Sequence, residues 1–336
     1  MKMKIIIITL IGGTLLFFLR DGGLRIQYGS NQHHAEQAQI FSGKLLNVTG
    51  ELLMTRSDDA LPRWEEVITQ TRTLDFWLYD FSYQPLLQLF QRMARGGVKI
   101  RAIVENEMYG GALSKNFIKL QKLFTGQTYM DLQSDKKLHD NFMHAKTFIT
   151  DDAFIIQTAN LTYGAFFNNR EFFFVSHDSA IRQNLAELFQ KDHDGIPITS
   201  SDILPNVVFC PIDCRHKIET LISGAKHSIR MYQQYIQDPR IMSILMQRSG
   251  LDLKFIVADN SSKSQLVASP LSGFTHFRKK PYVHAKMILV DDTYLILSSV
   301  NMSANSMDNN REIGIILIDS NIINQFRSQF ERDWKR

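Results

Sequence analysis

The chain has 336 residues, enough for two domains of ordinary size that each bury their own core. Its 38 Lys and Arg against 34 Asp and Glu leave a net charge of +4, which is too mildly basic to choose between a membrane surface and nucleic acid as a partner. The two cysteines are too few to form a metal site on their own.

Residues 1–22 are predicted to be a signal-anchor or a signal peptide. Lys2 and Lys4 precede the uncharged run 5–19, which at about 1.5 Å per residue spans somewhat less than a bilayer core of ~30 Å. No small-residue cleavage site follows, so an uncleaved signal-anchor is the first choice and a cleaved signal peptide the second. Because the lysines stay in the cytoplasm, we expect the remainder outside it, either anchored or secreted. The polar residues 23–45 are predicted to be a tether.

Helices and strands alternate twice along the rest of the chain, in the same order each time. Each half shows an amphipathic helix, a strand leading into a Tyr-bearing turn, a second helix and an alternating strand. This pattern predicts an α/β fold, with two tandem α/β/α sandwich domains related by pseudo-twofold symmetry. The predicted boundaries are a first domain at 46–197, a linker at 198–205 within a stretch rich in Gly, Pro and Ser, and a second domain at 206–336.

Cys210 and Cys214 lie near the start of the second domain, spaced as C-x-x-x-C. On an exported protein such a pair can close a disulfide. A position between a strand and a helix also suits two small buried residues. The sequence leaves both alternatives open.

The strongest signal is one stretch that occurs twice. Residues 144–171 read HAKTFITDDAFIIQTANLTYGAFFNNRE, and residues 284–312 read HAKMILVDDTYLILSSVNMSANSMDNNRE. From the asparagines onward the two copies keep a constant offset of 141 positions, as in Asn160 and Asn301. A fold made of two copies of one unit can bring equivalent residues together at its pseudo-twofold axis.

The lysines of the repeat suit the chemistry of a phosphodiester. Lys146 and Lys286 each follow a histidine by two residues and so share a face with it on an extended strand. Two fixed cations stabilise the negative charge that spreads over the oxygens of a phosphorus under attack, so we expect no metal ion and no cofactor. Asn160 and Asn301 can add hydrogen bonds to the same oxygens.

The histidines of the repeat, His144 and His284, predict a displacement in two steps. One neutral imidazole attacks phosphorus, and the other protonates the leaving oxygen before activating water or an alcohol. Both tasks need a group that titrates near neutral pH, as imidazole does at about 6.5. The far nitrogen of a nucleophilic imidazole needs an acceptor, and Glu171 and Glu312 are the candidates for that supporting role.

Asp151 and Asp291 follow the motif lysines by five residues, at the far end of the same strands. Their position in the strand directs them away from the reacting phosphorus. We therefore expect a structural role for both.

The two H-x-K-x(4)-D motifs resemble those of the phospholipase D superfamily. The resemblance rests on HAKTFITD and HAKMILVD, with the closing LFQKD and QFERDW, and covers roughly residues 50–336. It implies two α/β units with one active site at their interface. It also implies that the motif histidines act as nucleophile and general acid–base, and that the lysines and asparagines bind phosphate. Analogy with two-motif members makes His144 the nucleophile and His284 the acid.

The chain departs from the superfamily just before the asparagines. Members usually have Gly-Ser there, whereas this chain has Gln157-Thr158 and Ser298-Ser299. A hydroxyl is kept in both halves, so we expect Thr158 and Ser299 to contact substrate. Since no catalytic group is lost, we expect activity.

Three functions compete. The first is a monomeric phosphodiesterase at a membrane surface that hydrolyses phospholipid through a covalent phosphohistidine, or, as a close variant, a cardiolipin synthase-type phosphatidyltransferase. Hydrolysis is preferred because such synthases usually carry a longer N-terminal membrane region. The second is an exported nuclease of the same superfamily, favoured by the basic pairs and triplets before each motif, Lys136-Lys137 and 278–280. A non-enzymatic scaffold is disfavoured because both halves keep every expected catalytic residue.

Overall fold

A computed structural model describes the chain at residues 4–10, 13–20, 23–28, 43–55, 60–108, 112–113, 118, 120–122, 130–134 and 142–336. The chain divides into two compact units, Met1–Lys44 and Leu45–Arg336, each described by itself. Both copies of the repeat belong to the second unit.

The described part of the first unit consists of three strands, β1 (Lys4–Leu10), β2 (Gly13–Arg20) and β3 (Gly23–Tyr28). They pair antiparallel in chain order. The predicted signal-anchor or signal peptide runs through β1 and β2, and no helix within the described ranges is long and apolar enough to cross a bilayer. Most of the predicted tether lies outside the described residues. Targeting by this unit stays a prediction.

The first half of the second unit forms a sheet of seven strands, together with three two-residue strands outside it. The strands in chain order are β4 (Glu51–Met54), β5 (Thr73–Leu78), β6 (Lys99–Val104), β7 (Glu107–Met108), β8 (Ala112–Leu113), β9 (Met130–Ser134), β10 (Thr147–Ile149), β11 (Phe154–Gln157), β12 (Asn169–Arg170) and β13 (Phe172–Ser176). The sheet order is β4-β13-β11-β10-β5-β6-β9. The last three strands are parallel to one another, and the other neighbours are antiparallel.

The second half repeats this sheet strand for strand. Its strands are β14 (Val207–Cys210), β15 (Ser228–Gln233), β16 (Asp252–Ala258), β17 (Thr275–Arg278), β18 (Tyr282–Val283), β19 (Met287–Val290), β20 (Tyr294–Ser298) and β21 (Glu312–Leu317). In the order β14-β21-β20-β19-β15-β16-β17, each occupies the place of its first-half counterpart. The predicted mixed α/β fold with two repeats is thus confirmed.

Helices flank the sheets in both halves. They are α1 (Ala60–Thr69), α2 (Gln84–Arg95), α3 (Tyr163–Phe167), α4 (Ser179–Asp194), α5 (Cys214–Ser223), α6 (Pro239–Gln247), α7 (Ser264–Val267), α8 (Ala304–Asp308) and α9 (Ser320–Trp334). An aspartate caps α4 and α9 in the same way, because Asp178 accepts from the amide of Ile181 and Asp319 from that of Ile322, each at 3.0 Å.

The two halves share one hydrophobic core. Buried side chains of both sheets and of α4 and α9 belong to a single cluster. Within it, the ring centroid of Phe172 lies 5.5 Å from that of Tyr232 in the other half. A second cluster, around Trp64 and Phe90, belongs to the first half alone. Each half covers an apolar face of the other. The two predicted domains are therefore two repeats within one compact unit and not two separate units.

The predicted linker joins α4 to β14 and is itself packed. Ile198 and Ile203 are buried against the shared core. Just beyond it, Cys210 and Cys214 form a disulfide that ties the end of β14 to the start of α5. Both cysteines are also fully buried, so both features that the sequence left open are present together.

Candidate active site

The two motifs meet where the halves exchange backbone hydrogen bonds. His144 and His284 lie just before the central strands β10 and β19. The amide of His144 donates to the carbonyl of Arg311 at 2.9 Å, and the amide of Ala285 donates to the carbonyl of Arg170 at 2.9 Å. Parallel pairing of β12 with β18 extends this exchange. The backbone of each motif is therefore fixed by the other half.

Each motif histidine contacts a glutamate from the opposite half. His144 Nδ1 lies 2.9 and 2.8 Å from the two carboxylate oxygens of Glu312. His284 Nδ1 lies 2.7 Å from Oε1 of Glu171, but this contact is not aligned as a hydrogen bond. Both glutamates are fully buried. Because Nδ1 faces a carboxylate, Nε2 is the nitrogen left for chemistry at phosphorus.

Small polar side chains hold the glutamates in place. Thr158 donates to Oε2 of Glu171 at 2.6 Å, and Asn169 donates to Oε1 at 3.2 Å. On the other side, Ser306 and Asn310 donate to Oε1 of Glu312, the latter at 3.2 Å. These partners restrict each carboxylate to the orientation that meets its histidine.

Thr158 and Ser299 lie behind the glutamates in this structure. Both are fully buried. The Thr158 hydroxyl also accepts from the amide of Phe172 at 3.0 Å, as that of Ser299 accepts from the amide of Ile313 at 3.1 Å. Their hydroxyls thus position backbone and carboxylate. The contact with substrate that we expected from the sequence stays a prediction.

The motif lysines are fully buried, and each donates to the backbone carbonyl of its own motif histidine. Burial lowers the pKa of Lys146 to about 7, despite opposing attraction from Glu312, and lowers the pKa of Lys286 to about 8. Both amines therefore titrate close to neutral pH. An arriving phosphate anion favours their charged form.

Both motif histidines are neutral near pH 7. Burial lowers the pKa of His144 to about 4, and this outweighs the attraction of Glu312. Burial also lowers the pKa of His284, against the attraction of Glu171. Burial alone would raise the pKa of both glutamates, but the contact with the facing histidine and the charge of the nearby motif lysine more than offset it, and the pKa of each is lowered. The site thus pairs ionised carboxylates with imidazoles in their nucleophilic form.

The two motif asparagines have hydrogen-bonding capacity to spare. Among the described residues, the Oδ1 atoms of Asn160 and Asn301 are buried without a hydrogen-bond partner. A buried polar atom left in this state costs about 1–3 kcal/mol, so a partner that satisfies it gains that much. A hydroxyl or a water molecule can donate to these oxygens, whereas the oxygens of a phosphodiester only accept and can pair with the Nδ2 groups of the same amides.

Two ion pairs between the halves keep the site in register. The guanidinium of Arg170 lies 2.9 Å from the carboxylate of Asp333, and that of Arg311 lies 3.1 Å from Asp192. All four residues are buried. Each arginine immediately precedes a site glutamate in the sequence, so these pairs fix the glutamate beside the opposite histidine.

One aromatic neighbour of the first motif was not predicted as a site residue. The ring centroid of Tyr79 lies 4.9 Å from that of the His144 imidazole and 5.4 Å from Nζ of Lys146. The corresponding turn of the second half carries Gln234 instead, so comparison of the repeats gives no signal at this position.

The aspartates of the motifs lie at the opposite ends of β10 and β19 from the histidines. Asp151 accepts from the amides of Arg72 and Thr73 at 2.7 and 3.1 Å. Asp291 accepts from the amides of Lys226, His227 and Ser228 at 2.8, 2.7 and 2.9 Å. Both tie the end of a motif strand to the start of its neighbour, which is a structural position.

Asp151→Asn is expected to lower stability by about 1 kcal/mol while turnover stays unchanged, because an amide accepts these hydrogen bonds less strongly than a carboxylate. Glu312→Gln is expected to do the reverse and lower turnover roughly 10- to 100-fold, because the His144 imidazole loses its ionised acceptor. Melting temperature and rate are measured together for both variants. Loss of catalysis in Asp151→Asn at an unchanged melting temperature would show that the two acidic roles are reversed.

Comparisons with known proteins find matches to both halves of the chain. The family model described as "Cardiolipin synthase, PLD-like domain" matches residues 65–193 and 218–334, once in each half. Cardiolipin synthase 1 of Bacillus cereus is 28% identical over 133 residues, which are 36% of this chain and 26% of that protein. Mitochondrial cardiolipin hydrolase of Mus musculus is 27% identical over 140 residues, which are 38% of this chain and 63% of that protein.

Among solved structures, phosphatidylserine synthase of Haemophilus influenzae Rd KW20 has a similar fold. Its TM-score is 0.65 at 11% identity, and the match covers 91% of this chain and 90% of that chain. The identity is low, so this likeness concerns the fold. The chain spans about a quarter of the length of the Bacillus synthase that it matches.

Proposed function

The chain belongs to the phospholipase D superfamily, since a PLD-like family model matches both of its halves, and we propose that it cleaves phospholipids through a covalent phosphohistidine. The observation that carries this proposal is the crossed pairing of His144 with Glu312 and of His284 with Glu171. Two neutral imidazoles, each facing a carboxylate of the opposite half, lie in one site with two buried lysines. That set suits displacement at phosphorus in two steps.

In the first step Nε2 of His144 attacks phosphorus, and the bond from phosphorus to the head-group oxygen breaks. His284 gives its proton to that oxygen. The anionic phosphodiester raises the pKa of a neighbouring imidazole, which supplies the protonated form of His284 that burial disfavours. Lys146 and Lys286 stabilise the charge on the phosphorus oxygens.

In the second step His284 takes a proton from the acceptor, whose oxygen attacks phosphorus and releases His144. Water as acceptor gives phosphatidate, and an alcohol gives a new phosphodiester. The sequence analysis favoured water as the acceptor. Two of the matched proteins, however, are named synthases and one is named a hydrolase, so the names lean toward transfer to an alcohol. We propose transfer to an alcohol as the main reaction and hydrolysis as the side reaction.

A membrane location would keep this site beside its lipid substrate. We propose attachment through residues 5–19, with the second unit outside the cytoplasm or secreted if the segment is cleaved. Both half-sites lie in one chain, so a monomer suffices to complete the active site.

The test offers the full chain head-group-labelled phospholipid vesicles and single-stranded DNA side by side, with EDTA present. We expect lipid turnover in EDTA, and added glycerol should divert product from phosphatidate to a phosphatidyl-alcohol. Cleavage of DNA without lipid turnover would favour the nuclease. Activity that EDTA abolishes and a divalent ion restores would contradict the role proposed for the lysines.

A further inference from the structure

An exposed patch of aromatic rings adjoins the first motif. The short helix α3 begins three residues after Asn160. Tyr163 is 59% exposed and Phe167 is 43% exposed, and their ring centroids are 4.8 Å apart. Tyr83 lies 6.0 and 5.8 Å from these two rings. Single apolar residues on a surface are ordinary, whereas adjoining exposed rings indicate a contact surface.

The second half builds the same helix without aromatic residues. At the constant offset of 141, Ala304 and Asp308 of α8 stand where α3 has Tyr163 and Phe167. Asp308 is bound by the guanidinium of Arg215 at 2.6 Å. Because the fold forms this helix with a small and a charged residue, the rings of α3 are not required by the fold.

A basic turn precedes the second motif. Arg278 ends β17, and Lys279 and Lys280 follow it in the turn to β18. The side chain of Lys279 is 79% exposed, with Nζ 3.9 Å from the carboxylate of Asp259. Lys280 is exposed as well. The turn lines an open cleft of about 590 Å³ together with Arg336. The basic pair predicted before the first motif, Lys136-Lys137, lies outside the described residues.

The aromatic patch and the basic turn flank the same short ladder. β12 and β18 run parallel, with Asn169 opposite Tyr282. Phe167 and Lys280 each come two residues before that pair. At about 3.8 Å per residue and ~5 Å between strands, their Cα atoms lie within roughly 20 Å of each other. Along the chain, Phe167 precedes Glu171 by four residues and Lys280 precedes His284 by four, so each feature is connected to a site residue by a short segment.

We infer that the aromatic patch (Tyr83, Tyr163 and Phe167) and the basic turn (278–280) form one docking surface for an anionic phospholipid bilayer. Aromatic rings favour the boundary between head groups and acyl chains, and exposed lysines are attracted to an anionic leaflet. The inference rests on the proposed function and deepens it, because it makes a bilayer the source of the substrate. We choose lipid over single-stranded nucleic acid because the relatives are named cardiolipin synthase and cardiolipin hydrolase.

The test compares two variants of the full chain with wild type. Tyr163→Ala/Phe167→Asp copies the second half into the first, and Lys279→Gln/Lys280→Gln removes two charges. We expect the aromatic variant to lower turnover on vesicles containing phosphatidylglycerol about tenfold, with turnover of a monomeric short-chain phospholipid unchanged. The lysine variant should lose turnover on these vesicles but keep it on phosphatidylcholine vesicles.

The matched control is Met246→Gln/Val267→Gln, which replaces residues that are 43% and 49% exposed elsewhere and should change nothing. Unchanged vesicle turnover in both docking variants overturns the inference. So does an equal loss on monomeric lipid, because that would mark a catalytic or folding defect. Co-sedimentation of each variant with vesicles tests docking even if wild type turns over no lipid, a result that would overturn the proposed function alone.

Discussion

Replacing His144 or His284 with Ala is expected to lower turnover by roughly 10⁴-fold or more, and replacing both should cost little more than either change alone. Nucleophile and acid act on the same bond, so loss of one leaves the other without a productive step. The measurement is the rate on labelled phospholipid, with the melting temperature recorded for each variant. His216→Ala, at an exposed histidine, is the matched control and should keep full activity.

The same histidines can be distinguished by trapping the intermediate. Both imidazoles are neutral, but Nδ1 of His144 is held by both oxygens of Glu312, whereas the contact of His284 with Glu171 is not aligned as a hydrogen bond. Acid-quenched enzyme, digested and mapped by mass spectrometry, is therefore expected to carry the adduct on the peptide that contains His144. An adduct on the His284 peptide would exchange the roles, and near-normal activity of either alanine variant would refute the assignment.

The sequence predicted much of the fold because the repeat is detectable at the level of single residues. The matched offset of Asn160 and Asn301 required two equivalent units, and the structure has two sheets with the same strand order. The two-residue spacing of His144 and Lys146 set their common face, since side-chain direction alternates along an extended segment. Local periodicity and internal symmetry therefore sufficed for the architecture.

The pairing of each motif histidine with the glutamate of the opposite half could not be predicted in this way. Glu171 and Glu312 were candidates, but which histidine each one meets depends on how the halves pack. His144 and Glu312 are 168 residues apart, and the contact forms across the shared core. Tyr79 was not predicted as a site residue for a different reason. The second half has Gln234 at the equivalent position, so the comparison of the repeats that identified the other site residues could not identify Tyr79.

The hydrogen bonds that hold the glutamate carboxylates could also be predicted only in part. Asn169 and Asn310 belong to the repeated Asn-Asn-Arg-Glu run, so their equivalence was visible although their task was not. Ser306 has no such signal, because the first half carries Ala165 at that offset. A comparison of the repeats cannot identify a site residue that occurs in only one half.

Lys146→Met is expected to lower turnover by roughly 10³-fold or more, because the phosphorus oxygens lose a fixed cation inside a buried site. The same change should leave the protein at least as stable at pH 7. The pKa of Lys146 is about 7 in the folded protein and 10.5 in the unfolded chain, so the unfolded chain binds more protons between these values. Burial of the charged amine therefore destabilises the wild type most below pH 7, and this cost disappears as the pH rises toward 10.5.

The gain in melting temperature of Lys146→Met over wild type should accordingly shrink from pH 7 to pH 10. Lys217→Met is the matched control, because Lys217 is also buried and its pKa is also lowered, but it is paired with Asp213 at 2.6 Å outside the site. That variant should keep its turnover. If Lys146→Met retained activity within about tenfold of wild type, the lysine would not be the cation that stabilises the reacting phosphate. If activity and melting temperature fell together, Lys146 would instead be holding the site's structure.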